Sequence, residues 1–143
     1  MGKGKLAANF EPIPKSSKAE MSYDADYLSK NVRFTFRDCE VGGEYGADRV
    51  FCNRALLSSL FKRLAYFEEM TWETFQNISR ENGWSAEKKQ DPNHSMLSRR
   101  FPHHSTFGHI RVPTENKNFR LFCARKGDLV HILLCDPDGN INH

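Results

Sequence analysis

The run Phe119-Arg120-Leu121-Phe122-Cys123-Ala124-Arg125-Lys126-Gly127-Asp128-Leu129-Val130-His131-Ile132-Leu133-Leu134-Cys135-Asp136 decides the fold. Two β-prone segments flank Lys126-Gly127, where glycine can supply the positive φ of a two-residue hairpin turn. With that turn Arg125 faces Asp128, Cys123 faces Val130, Leu121 faces Ile132 and Phe119 faces Leu134, a face that is apolar away from the turn. Side chains alternate along a strand, so Arg120, Phe122, Ala124, Leu129, His131 and Leu133 share the reverse face. In this register Phe122 sits opposite His131. Arg120 then lies on a diagonal, about 7–8 Å away at the backbone. A cation and an imidazole on an open sheet face need no function, because such faces are ordinarily polar. The charge pattern gives the pair more weight.

Residues 1–29 and 30–98 are each neutral in Lys and Arg against Asp and Glu, whereas residues 99–125 carry Arg99, Arg100, Arg111, Lys117, Arg120 and Arg125 against Glu115 alone. The formal net charge of +3 therefore originates in one segment. That segment also holds His103, His104 and His109, with His94 just before it and His131 just after. Cations beside Phe101, Phe107, Phe119 and Phe122 are what a polyanion site needs, since phosphates seek positive charge and unstacked bases seek aromatic faces. The expected nucleic-acid contacts are Arg99, Arg100, His103, His104, Lys117, Phe122 and Arg125.

Working back from the hairpin, His109 to Val112 reads as another strand. Residues 84–108, with Pro92 and Pro102, read as irregular. Asn53 is an N-cap for an amphipathic helix carrying Leu56, Leu57, Leu60, Phe61, Leu64 and Phe67. Thr71 caps a second helix with Trp72, Phe75 and Ile78 as its buried stripe, closing near Asn82-Gly83. Val32, Phe34 and Phe36 alternate with polar residues as a half-buried strand. Residues 1–29 are broken by Gly2, Gly4, Pro12 and Pro14 and read as an extended arm, leaving residues 30–143 as one domain. The expected class is α+β: two helices packed on one face of a small antiparallel sheet, with an N-terminal extended arm, and the Arg120 and His131 face left outside.

No apolar run reaches the ~20 residues that span a bilayer, and the first residues lack the apolar core of a secretory signal. A cytoplasmic protein is expected. Cys39, Cys52, Cys123 and Cys135 have no C-x-x-C spacing and read as reduced; Cys123 and Cys135 should point to opposite faces. His94, His103, His104 and His109 match no common zinc spacing, so no metal and no cofactor are expected.

Thr71-Trp72, the segment Asn82-Gly83-Trp84-Ser85-Ala86-Glu87-Lys88, the strands Phe119-Arg120-Leu121-Phe122 and Val130-His131-Ile132-Leu133, and Asp136 give residues 56–143 a likeness to small bacterial proteins. In element order and basic sheet face the chain resembles the RelE/ParE superfamily of toxin–antitoxin toxins. Neither that family's lysine-rich helix nor its terminal tyrosine has a counterpart. The resemblance implies a strand arginine at a scissile phosphate, matched by Arg120 or Arg111, and a terminal histidine, matched by His143.

Such an enzyme would cut mRNA without a metal. The RNA's own 2′-hydroxyl attacks the phosphate, which requires a base, an acid and cations for the developing charge. His131 is expected as one proton-transfer group, His109 or His143 as the other, and Arg120 and Arg111 as phosphate stabilisers. Partners would then be RNA, free or on the ribosome, and a cognate antitoxin or another protein. The alternative is a non-catalytic protein-binding module, ParE-like or phage- or defence-associated, that uses the basic face and the arm.

Overall fold

A computed structural model describes residues 26–141. Residues 1–25 of the expected arm, and His143 with its neighbour Asn142, lie outside the described residues. After a 3₁₀ turn at Asp26–Ser29 come β1 (Arg33–Thr35), α1 (Asp48–Phe51), α2 (Arg54–Glu68), α3 (Trp72–Asn77) and β2 (Ser85–Ala86). The chain continues through α4 (Pro92–Arg100), β3 (Phe107–Pro113), β4 (Asn118–Lys126) and β5 (Leu129–Asp136). The strands form one sheet in the order β1-β5-β4-β3-β2. The class is α+β, as the sequence implied. Neighbours from β2 to β5 are antiparallel, but β1 joins β5 in parallel, with Phe34 beside Val130, so the sheet is mixed. Three helices separate β1 from the rest of the sheet, and a crossover of that length permits the parallel pairing a tight hairpin forbids.

Both expected caps form. The Asn53 side chain accepts a hydrogen bond from the Leu56 N–H at 3.1 Å, and the Thr71 hydroxyl accepts from the Thr74 N–H at 3.3 Å. The helix stripe Leu60, Leu64 and Phe67 from α2, with Trp72 and Phe75 from α3, packs on Ile110, Val112, Phe119, Leu121, Cys123, Val130, Ile132 and Cys135. Fully burying each large side chain is worth roughly 1.5–3 kcal/mol. Trp72 also donates its indole N–H to the Asp128 carbonyl at 2.7 Å, which ties α3 to the hairpin turn. The helix stops at Asn77, before the expected Asn82-Gly83, and Trp84 then turns back into the same core. Within the segment expected as an arm, Tyr27 packs edge-on to Trp72 and donates to Gln76 at 3.0 Å.

Trp84 lies against Gly108, where an added Cβ would stand 2.4 Å from the indole. Gly108→Ala should therefore overpack this contact and cost about 1–3 kcal/mol. Urea unfolding checks it, and an unchanged midpoint would show that Trp84 moves freely.

The hairpin departs from the expected register in two ways. Gly127, at φ +63°, takes the first of the two central turn positions, so Lys126 faces Leu129, Arg125 faces Val130 and Ala124 faces His131. Each pairing slips by two positions, which preserves the faces. A bulge then intervenes, because Cys123 faces Ile132 whereas Phe122 faces Leu134. Such an extra residue bends the strand and re-aims the side chains beyond it. Leu133 and Leu134 both pack on the second face, Cys135 joins Cys123 on the first, and Asp136 comes opposite Arg120. Leu134 thus leaves the face expected for it, and the two cysteines share a face they were expected to divide. All four cysteines are free thiols.

The second face is not open. α4, in the segment expected to be irregular, lays Leu97 over Phe107, Phe122, Ala124, Leu133 and Leu134, with Ile141 closing the edge. His109, Arg120 and His131 are consequently only 5, 4 and 6% exposed. No helix among the described residues is long and apolar enough to cross a membrane.

Candidate active site

β3 and β4 set Arg111 opposite Arg120 and His109 opposite Phe122, on the face that α4 covers. A cavity of about 610 Å³ remains there, lined by Arg80, Glu87, Asp91, His109, Arg111 and Arg120 among others. Glu87 follows β2 and donates its backbone N–H to the Phe107 carbonyl at 2.9 Å, which fixes its side chain beside β3. Its carboxylate lies 2.5 Å from His109 Nδ1, and both side chains are less than a tenth exposed. With a proton on Nδ1 donated to Glu87, the lone pair falls on Nε2. Nε2 is buried and has no hydrogen-bond partner among the described residues. An imidazole oriented by a carboxylate, with its second nitrogen spare, is equipped to take a proton.

Arg120 is held more firmly. Its Nη2 donates to the Ile141 carbonyl and stands 3.8 Å from the Asp136 carboxylate, while its guanidinium covers the Phe122 ring at 5.0 Å. Asp136 in turn accepts the N–H groups of Asn140 and Ile141, both at 2.9 Å. Burial pushes the Arg120 pKa down and Asp136 opposes the shift, but a guanidinium stays charged in a protein. Nη1 is buried without a partner among the described residues. Arg111 is half-buried in the same cavity wall, and Arg80 donates to Ser85 at 3.2 Å.

His131 belongs to a different place. It faces Ala124 across β4, two positions along from Phe122 and on the far side of that strand from His109. Strand spacings put the Cα atoms of the two histidines about 12 Å apart. The two imidazoles line different cavities and do not flank one phosphate in this arrangement. His131 instead meets Asp38, Nδ1 to Oδ2 at 3.3 Å, and His104 Nε2 reaches the same oxygen at 2.9 Å. The imidazole rings are 4.6 Å apart. Burial lowers the His131 pKa, with the neighbouring His104 adding to the effect. The hydrogen bond from His104 holds Asp38 below the usual carboxylate range.

The expected nucleic-acid contacts do not form one surface. Arg99 and His103 are exposed, and Lys117 is exposed at the turn between β3 and β4. Arg100 is paired with Glu40 at 2.6 Å, and His104 is engaged by Asp38. Phe122 is fully buried and unavailable for stacking on a base. Arg125 lies on the opposite face, with its guanidinium 3.9 Å from the Tyr27 ring centre.

Glu87, Arg80 and Asp38 escaped the sequence reading. Glu87 is separated from its histidine by 22 positions and Asp38 from His104 by 66, so no local spacing announces either pair. His94, a zinc candidate by composition, packs against Phe107. Set against models of protein families, curated proteins and solved structures, the chain matches none.

Proposed function

We propose that this protein is a RelE-like toxin that cuts mRNA as a metal-independent endoribonuclease, with its reaction centred on the cavity beside His109. The supporting observation is the Glu87–His109 pair set next to Arg111 and Arg120 at the wall of a cavity beside α4. In this reading a side-chain shift in the cavity wall exposes the buried His109 Nε2 and Arg120 Nη1, and Nε2 takes the proton from a 2′-hydroxyl, whose oxygen then attacks the adjacent phosphorus. The 5′-oxygen leaves and takes that proton back from the His109 imidazolium, giving a 2′,3′-cyclic phosphate and a 5′-hydroxyl end and restoring the base. Arg111 and the spare Nη1 of Arg120 stabilise the charge that develops on phosphorus. Every step draws on side chains and on the substrate's own hydroxyl.

The test is induced expression in a bacterial host of the wild-type chain and an Arg111→Ala variant at matched soluble levels. Arrest with new 5′-hydroxyl RNA ends is expected from the wild type, and neither from the variant. Normal growth with intact RNA would end the toxin reading.

A second reading has its own support. The six cations of residues 99–125 are dispersed, and the lining of the cavity balances Arg80, Arg111 and Arg120 with Glu81, Glu87 and Asp91. A balanced, dispersed pattern suits a non-catalytic module that binds a protein, whether a ParE-like target, an antitoxin or a defence-associated partner, better than it suits a long polyanion. Arrest with RNA left intact would favour it.

A further inference from the structure

We propose that Asp38, His104 and His131 form a binding site for a divalent transition metal of the zinc class, separate from the cavity beside His109. The three side chains come from distant parts of the chain. Asp38 lies after β1, His104 sits between α4 and β3, and His131 is the third residue of β5, flanked by Thr35 of β1 and Ala124 of β4. Each offers one ligand atom, and the three atoms lie within 4.8 Å of one another.

The arrangement has an unresolved feature that a cation would explain. His131 Nδ1 is buried and points at a carboxylate oxygen 3.3 Å away, yet it has no hydrogen bond of acceptable geometry among the described residues. A buried nitrogen left unpaired is destabilising. With its lone pair toward Asp38, the contact sets two electron-rich atoms against each other. A metal between them converts both into ligands. Imidazole and carboxylate are ordinary zinc donors at about 2.0–2.2 Å, which puts donor atoms of a tetrahedral site roughly 3.3–3.5 Å apart. The Asp38 to His131 separation already matches. The Asp38 to His104 contact, at 2.9 Å, needs to lengthen slightly, and ring rotation by on the order of an ångström brings the two imidazoles to the same spacing.

Three protein ligands leave a fourth position. It faces a cavity of about 400 Å³ that Arg37, His103 and Lys126 also line. Arg37 and Lys126 oppose a dication, so the carboxylate of Asp38 between the rings is what makes binding feasible. The oxygen and imidazole set favours zinc, cobalt or nickel over magnesium or calcium, which prefer all-oxygen shells.

The experiment titrates the full-length chain, stripped by a chelator, with Zn²⁺ and separately with Co²⁺. Saturable binding of one Zn²⁺ per chain, a melting temperature that rises with zinc concentration, and the visible bands of four-coordinate Co²⁺ are expected. Asp38→Asn and His104→Ala should each weaken Zn²⁺ binding by at least about 100-fold, the upper end of what losing a mere supporting partner costs. Both should abolish the Co²⁺ bands. Asp38 is exposed, so its amide variant tests the site in a folded chain even if His104→Ala is unstable. His94→Ala, which removes a histidine outside the cluster, should bind Zn²⁺ as the wild type does. Absence of saturable binding by the folded wild type, or unchanged affinity and bands in Asp38→Asn, would overturn the proposal.

Discussion

Arg120→Ala is expected to destabilise the fold by about 3–5 kcal/mol, lowering the melting temperature by roughly 10–15 °C for a chain of this size. The reason lies in what the guanidinium leaves behind. Asp136 is 1% exposed, and Arg120 is the cation beside it, at 3.8 Å. Two backbone N–H groups satisfy part of the carboxylate, but they do not neutralise its charge. The same substitution removes the tether to the Ile141 carbonyl and the cover over Phe122. Read from the sequence, Arg120 is a phosphate stabiliser on an open sheet face. Burial under α4 changes that, so loss of activity in Arg120→Ala would report folding before chemistry. A double change, Arg120→Met with Asp136→Asn, should recover much of the loss, because replacing a buried pair costs less than orphaning one partner. Denaturant unfolding of the single and double variants reads both effects. An Arg120→Ala chain within about 1 kcal/mol of wild type, the worth of a surface ion pair, would show that the pair carries little.

The same burial explains what was legible in the sequence and what was not. Asn53 and Thr71 announce their helices because capping chemistry is local, and the stripe from Leu60 to Phe75 announces a core because its period is that of a helix. Strand alternation likewise grouped Arg120, Phe122, His131 and Leu133 on one face, where they are found. The second layer left no such trace. α4 has only Met96 and Leu97 as apolar residues beyond the proline at its start. Proline is at home in a first helical turn, yet in a short polar segment it reads as a breaker. The bulge at Leu133 was equally silent, since one inserted residue changes no composition and still turns Asp136 toward Arg120. Both candidate clusters, Glu87 with His109 and Asp38 with His104 and His131, are made by tertiary approach across 22 residues or more. Glu87 stands within the Asn82 to Lys88 segment that carries the RelE/ParE resemblance, but nothing in that segment names His109 as its partner.

His109→Ala should lower the rate of RNA cleavage by about 10²–10⁴-fold, the usual contribution of a positioned general base, with a smaller effect on RNA binding. His109 is only 5% exposed and contacts the Phe122 ring at 5.7 Å, so its loss also opens a small void and strands the Glu87 carboxylate. Glu87→Gln separates these contributions. The amide keeps shape and burial but can no longer carry the charge that stabilises an imidazolium, and it can present N–H rather than oxygen to Nδ1. It would then favour the tautomer with the proton on Nε2, which is unable to act as a base. A Glu87→Gln chain that is folded, binds RNA and cleaves at least about 10²-fold more slowly would assign the proton transfer to the dyad. The readout is single-turnover cleavage of a short RNA, with the binding constant measured separately on a 2′-deoxy substrate that cannot react. Cleavage by Glu87→Gln at the wild-type rate would remove His109 from the reaction and leave the pair as a buried structural contact, whatever His109→Ala does.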